Sequence, residues 1–276
     1  MLPFDSIPVA LLGALHPALE RGLVADVLAA RALGAHPRPV CTSIISASDT
    51  RVTDVTEVPA DTVQAQLEHL FAVDPPEAVK LGVLGTHATV EAAFSALRRY
   101  SGPMVLEFVV AGDGGGTVLS RRGVEALRDR LDVPDLVLFS RTDAELISGG
   151  EIQSLDDAQV AAQRLHRLGA KNVLITCGEI KARFFDLEPD GDQRLMADLL
   201  YDGEGFSLFE APYLDAPEVR GASSALSVAA LAGLSRGIPV VEAVQEAKRY
   251  VTEALRLAQS GRLRFDWPDR PGTSLN

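Results

Sequence analysis

Short apolar runs recur along the chain at residues 7–12, 40–45, 79–84, 104–110, 136–139 and 172–176, each of strand length. Between them the period changes. Leu23, Val27, Ala30 and Leu33 fall on one helical face, as do Val63, Leu67 and Leu70. Residues 89–100, 121–131 and 158–168 also fit helices. Strands alternating with helices at this spacing predict right-handed βαβ units, hence an α/β fold whose mainly parallel sheet is covered on both faces.

After Thr176 the rhythm shifts. Residues 181–187, 194–200 and 205–211 read as strands, separated by the turn signals Pro189-Asp190-Gly191 and Asp202-Gly203-Glu204-Gly205. They predict an antiparallel addition at the sheet edge. The stretch Val219-Arg220-Gly221-Ala222-Ser223-Ser224 then leads into a helix of small and apolar residues at 225–234. An amphipathic helix follows Pro239, with Val240, Val244, Ala247 and Val251 on one side. No linker divides the chain, so one domain is expected over residues 1–265. Residues 266–276 are polar and read as a flexible tail.

Composition narrows the function. The chain has 276 residues, 47% of them hydrophobic, and a formal net charge of −12, which disfavours a nucleic-acid partner. Cys41 and Cys177 lie too far apart for a metal knuckle or redox pair, and no apolar stretch has the form of an export signal or a membrane span. A cytoplasmic protein is expected. The five histidines (16, 36, 69, 87 and 166) have no metal spacing and read as surface or packing residues.

Three features carry candidate chemistry. Gly221-Ala222-Ser223-Ser224 at a helix start is either an anion site, since first-turn N–H groups are unpaired there, or simply a serine N-cap. Gly112-Asp113-Gly114-Gly115-Gly116-Thr117 lacks both the Walker lysine and the dinucleotide spacing, and reads as a flexible loop over a strand end. Asp26 lies among Leu23, Val24, Ala25 and Val27, so its carboxylate must either face solvent or have a partner.

Taken in order, these segments resemble the hydroxymethylpyrimidine and phosphomethylpyrimidine kinases of thiamine biosynthesis, members of the ribokinase-like superfamily. Gly22-Leu23-Val24-Ala25-Asp26 is similar to that family's G-I-Q-A-D, and Lys80-Leu81-Gly82-Val83-Leu84 to its K-I-G-M-L. Leu106-Glu107-Phe108-Val109-Val110 stands where the family has L-D-P-V-M, and Ala247-Lys248-Arg249-Tyr250 resembles A-K-x-Y. The resemblance implies a three-layer α/β/α domain, a homodimer, a small pyrimidine-type ligand, and ATP with Mg²⁺ as phosphoryl donor. It also implies roles. Gly221, Ala222, Ser223 and Ser224 match the G-T-G-C turn that holds developing phosphate charge. Gly22, Asp26 and Ser48 match substrate-binding positions. Thr142, Glu145, Thr176, Gly178 and Lys248 match nucleotide-binding ones, and Glu107 and Glu145 match the metal-organising ones.

Several of these positions depart from the family pattern. Ser224 replaces the residue thought to act as base, and a serine hydroxyl does not accept a proton near neutrality. Thr142-Asp143-Ala144-Glu145 keeps the carboxylate of N-x-x-E but loses its amide. Thr176-Cys177-Gly178-Glu179 replaces K-G-G-H, so a cation is lost, and Asp113 stands where another lysine would be. Ala18-Leu19-Glu20-Arg21-Gly22 replaces a glycine-rich approach loop, and Ser48-Asp49-Thr50 replaces Q-N-T. Two functions follow: a phosphomethylpyrimidine kinase-like enzyme, or a catalytically silent kinase-fold protein that binds a small metabolite or partner.

Overall fold

The computed structural model describes residues 6–16, 20–48, 51–111, 116–181, 194–214, 219–259 and 261–264. Among these residues nine strands form one sheet: β1 (Pro8–Leu15), β2 (His36–Ala47), β3 (Val52–Glu57), β4 (Ala78–Leu81), β5 (Met104–Phe108), β6 (Leu136–Ser140), β7 (Val173–Lys181), β8 (Arg194–Tyr201) and β9 (Phe206–Pro212). Their order is β3-β2-β1-β4-β5-β6-β7-β8-β9. From β2 to β7 every neighbouring pair is parallel. Antiparallel β3 closes one edge, and β8 and β9 extend the other.

Eight helices among the described residues cover the sheet: α1 (Leu23–Ala32), α2 (Ala60–Val73), α3 (His87–Leu97), α4 (Arg121–Arg128), α5 (Arg141–Ser148), α6 (Leu155–Arg167), α7 (Ala222–Leu234) and α8 (Val240–Arg256). Strand pleating divides the core in two. Val79, Leu81, Leu106 and Phe108 face a layer containing Val63 and Leu67 of α2, Val90 and Phe94 of α3, and Ala158 and Leu165 of α6. Ala78 and Val105 face the opposite layer with Ala29 of α1, Val228 of α7 and Val244 of α8. This is the expected α/β/α arrangement with its antiparallel edge.

Two elements escape the hydrophobic pattern. β3 has no buried residue, because an edge strand with one neighbour leaves Thr53, Asp54 and Thr56 exposed. α5 is two turns long, begins directly after β6 and buries only Asp143 and Ala144. β7 runs unbroken through Lys181, with a register irregularity between Thr176 and Gly178, where a strand end at 176 and a new strand from 181 were expected. The turn at 189–191 and the tail at 266–276 lie outside the described residues.

Candidate active site

Alternation along β4 and β5 turns Lys80 and Glu107 toward the layer that contains α1 and α7. Lys80 follows Ala78, and Glu107 follows Val105, on that face. A lysine there has no route to solvent and is 1% exposed. It is satisfied by two carboxylates. Its Nζ donates to both oxygens of Asp26, at 2.9 Å each, and to Glu107 Oε2 at 2.6 Å. Asp26, from the first turn of α1, is fully buried, so of its two options the structure selects the partner. Ser223 Oγ donates to the other oxygen of Glu107, and Ser224 Oγ lies 3.5 Å from Oε2.

One ammonium between two carboxylates leaves a surplus negative charge inside the protein. Burial pushes Asp26 up to about 7, although Lys80 pulls the other way. Burial also opposes ionised Glu107, but Lys80 and the two serines outweigh it and hold that carboxyl below its ordinary range. For Lys80 the desolvation is overcome by Asp26 and Glu107, which keep the ammonium charged well above its usual range. Asp26 therefore binds its proton more tightly folded than unfolded, and between its unfolded value of 3.8 and about 7 its contribution to stability falls as pH rises. Urea midpoints measured from pH 4.5 to 7.5 should fall less steeply in Asp26→Asn than in the parent. An unchanged slope would show that Asp26 does not titrate in this window.

The helix starts sort by chemistry. Four are capped by hydroxyls: Thr86 on α3, Ser120 on α4, Ser140 on α5 and Ser154 on α6. The other four have no side-chain cap: α2 and α8 follow Pro59 and Pro239, and the two that meet the Lys80 cluster follow glycines. α1 begins at Gly22 (φ 50°) and α7 at Gly221 (φ 84°), each without a side-chain cap. The serine N-cap expected at α7 is thus absent: Ser223 and Ser224 sit inside the first turn and turn to Glu107. A side chain at Gly221 would place Cβ 2.6 Å from Glu20 O and 2.9 Å from Ala25 Cβ, so the two helix starts are in close contact. Since α1 follows β1 directly, its start lies at the carboxyl end of a parallel strand, where α/β folds bind ligands.

Beside the start of α7 is a cavity of about 270 Å³, lined in part by Thr176, Asp198, Ser223, Leu226, Lys248 and Thr252. Lys248 Nζ donates to Asp198 Oδ2 at 2.7 Å on its wall. A larger groove of about 720 Å³ between α3 and α4 is lined by none of the expected site residues.

The remaining expected residues are spread around this centre. Ser48 is exposed in the β2–β3 turn, its N–H bonded to Arg51 O, while Asp49 and Thr50 lie outside the described residues. Gly178 sits on β7 beside the irregularity. Thr142 is exposed on α5, and Glu145 accepts from Ile152 N at 2.9 Å. Among the described residues no group of three or more His, Cys, Asp or Glu side chains could hold a metal. The approach-loop residues Ala18 and Leu19 and the glycines at 112–115 are outside the description.

Comparison with known proteins now decides the family. The sequence profile described as phosphomethylpyrimidine kinase matches residues 21–264. The chain belongs to the phosphomethylpyrimidine kinase family. A hydroxymethylpyrimidine/phosphomethylpyrimidine kinase of Aquifex aeolicus is 31% identical over 237 residues, covering 85% of this chain and 89% of that one. The thiamine biosynthesis bifunctional protein of Geobacter sulfurreducens is 33% identical over 240 residues, 86% of this chain and 47% of that one. Among solved structures, the pyridoxal kinase of Staphylococcus aureus in complex with AMP-PCP and pyridoxal superposes with a TM-score of 0.78 at 25% identity, over 91% of this chain and 88% of that one. Within the family motifs, sequence reasoning quoted Lys80 but gave it no role, and it did not select Asp198.

Proposed function

We propose that this protein is an ATP-dependent kinase that phosphorylates hydroxymethylpyrimidine or its monophosphate, working in the cytoplasm as a homodimer. The observation that carries the reading is the uncapped start of α7 at Gly221, placed between a buried charge cluster and a cavity that holds Lys248. Phosphoryl transfer asks a protein mainly for positioning and charge stabilisation. First-turn amides without a side-chain acceptor are suited to the transferring phosphoryl group. The cavity beside them supplies an apolar wall from Leu226 and an ammonium from Lys248, a pairing suited to a nucleotide. The ATP analogue bound by the S. aureus neighbour supports that choice of donor.

Glu107 and Glu145 are both engaged within the protein, the first by Lys80 and Ser223 and the second by Ile152 N. They do not by themselves make a magnesium site. Magnesium then enters with the nucleotide, whose phosphates supply its ligands. Ser224 in place of a base costs rate rather than the reaction, since general-base catalysis contributes roughly 10²- to 10⁴-fold.

The test is incubation with MgATP and hydroxymethylpyrimidine, with pyridoxal as an alternative acceptor, followed by mass spectrometry of the products. Phosphorylated pyrimidine is the expected result. ATP binding with no transfer to either acceptor would favour the catalytically silent reading instead.

A further inference from the structure

Among the described residues, Lys248 and Asp198 are the only oppositely charged pair lining the cavity beside α7, and neither is held by the Lys80 cluster. Lys248 reaches in from α8 with its side chain 12% exposed, and Asp198 comes from the middle of β8 with its side chain 6% exposed. A lysine on a helix bordering solvent ordinarily extends its flexible four-carbon stem outward to keep the ammonium hydrated. Here the ammonium is turned inward and met by a carboxylate at 2.7 Å. Asp198 is paired in register with Thr176, which ties its strand to β7. An ammonium has three N–H donors, and the bond to Asp198 uses one. The remainder serve a cavity whose other polar side chains, Thr176, Ser223 and Thr252, carry no charge.

Resting on the kinase reading above, we propose that Asp198 is a positioning residue: it pins the Lys248 ammonium inside the cavity, where Lys248 is the cationic contact for the phosphate chain of the nucleotide. Among the described residues no other lysine or arginine lines the cavity. Thr176 lines the same space and is the ladder partner of Asp198 across β7 and β8, so an ammonium introduced at Thr176 would enter the cavity from β7 instead of α8. The pair therefore makes a positional prediction. The cavity needs one cation, and the element that supplies it is exchangeable.

The experiment titrates ADP calorimetrically into the full-length protein and its variants, alongside turnover with ATP. Lys248→Met should weaken ADP roughly ten- to a hundred-fold, the loss of one charge-assisted contact. Asp198→Asn, which keeps the lysine but frees its stem, should weaken ADP roughly three- to ten-fold and raise the KM for ATP more than it lowers kcat. Adding Thr176→Lys to Lys248→Met should restore most of the lost affinity, a rescue that a purely structural role for the pair does not produce. Because Lys248→Met strands a buried carboxylate, the double variant Asp198→Asn/Lys248→Met, which removes both charges together, serves as the folded control. It should also bind ADP weakly. Unchanged ADP affinity in that double variant, unchanged or tighter binding in Asp198→Asn, or failure of the Thr176→Lys rescue overturns the proposal. The ADP titrations decide the role of Asp198 even where no pyrimidine is phosphorylated, an outcome that would defeat only the kinase reading. A parent protein that binds no ADP overturns both.

Discussion

Replacing Lys80 by methionine is expected to destabilise the fold by about 3–5 kcal/mol, the cost of stripping the partner from a buried ion pair. The size of the effect follows from geometry. Methionine fills much of the same volume, so packing changes little, but Asp26 and Glu107 lose an ammonium at 2.9 and 2.6 Å. Asp26 is fully buried and Glu107 nearly so, which leaves no water to replace it. Two carboxylates then face each other, and at least one must take up a proton. Urea denaturation at pH 7 should show a lowered midpoint with little change in slope. The triple variant Asp26→Asn/Lys80→Met/Glu107→Gln should regain more than half of the loss, because the penalty belongs to the unpaired charges rather than to the missing side chain. A Lys80→Met protein as stable as its parent would mean that the cluster is hydrated in solution.

That cluster also marks the boundary of what can be read from residues in order. The parallel sheet was legible because buried strands in α/β folds are nearly continuous apolar runs, and residues 7–12 and 136–139 are two of them. β3 was not legible, since an edge strand buries too little to leave a pattern, and α5 was not, since two turns beginning directly after a strand leave almost no period to see. The motif resemblance placed Gly221 and Asp26 in the site without showing what joins them. Asp26 and Lys80 are 54 residues apart, and Lys80 and Glu107 are 27 apart, so their contact exists only once β4 and β5 lie side by side. One signal was available: a lysine inside the run Val79-Lys80-Leu81, at an inward strand position, has to find an acid. The pairing of Asp198 with Lys248, 50 residues apart and from a strand and a helix, had no such local signal.

The other large effect is expected at Gly221, where valine should abolish activity by 100-fold or more and lower stability by about 2–4 kcal/mol. Three costs combine. At φ 84° the backbone is in the left-handed region, which a β-branched residue enters only under strain. Its Cβ would lie 2.6 Å from Glu20 O, a backbone atom that cannot rotate aside as a side chain could, and 2.9 Å from Ala25 Cβ on the first turn of α1. Relief requires α7 to move away from α1. That movement carries Ser223 off Glu107 and reshapes the cavity that Ser223 lines, so the amides at the helix start no longer face the space where a phosphoryl group would sit. Alanine at the same position should show the smaller version of the same defect. In both variants the rate of the proposed phosphoryl transfer should fall further than the thermal midpoint predicts, because a shift of about 1 Å at a positioned group costs more in rate than in folding. A Gly221→Val protein with parental activity would show that the open start of α7 is not where the chemistry happens, and would return attention to the start of α1 at Gly22, the other uncapped glycine beside the cluster.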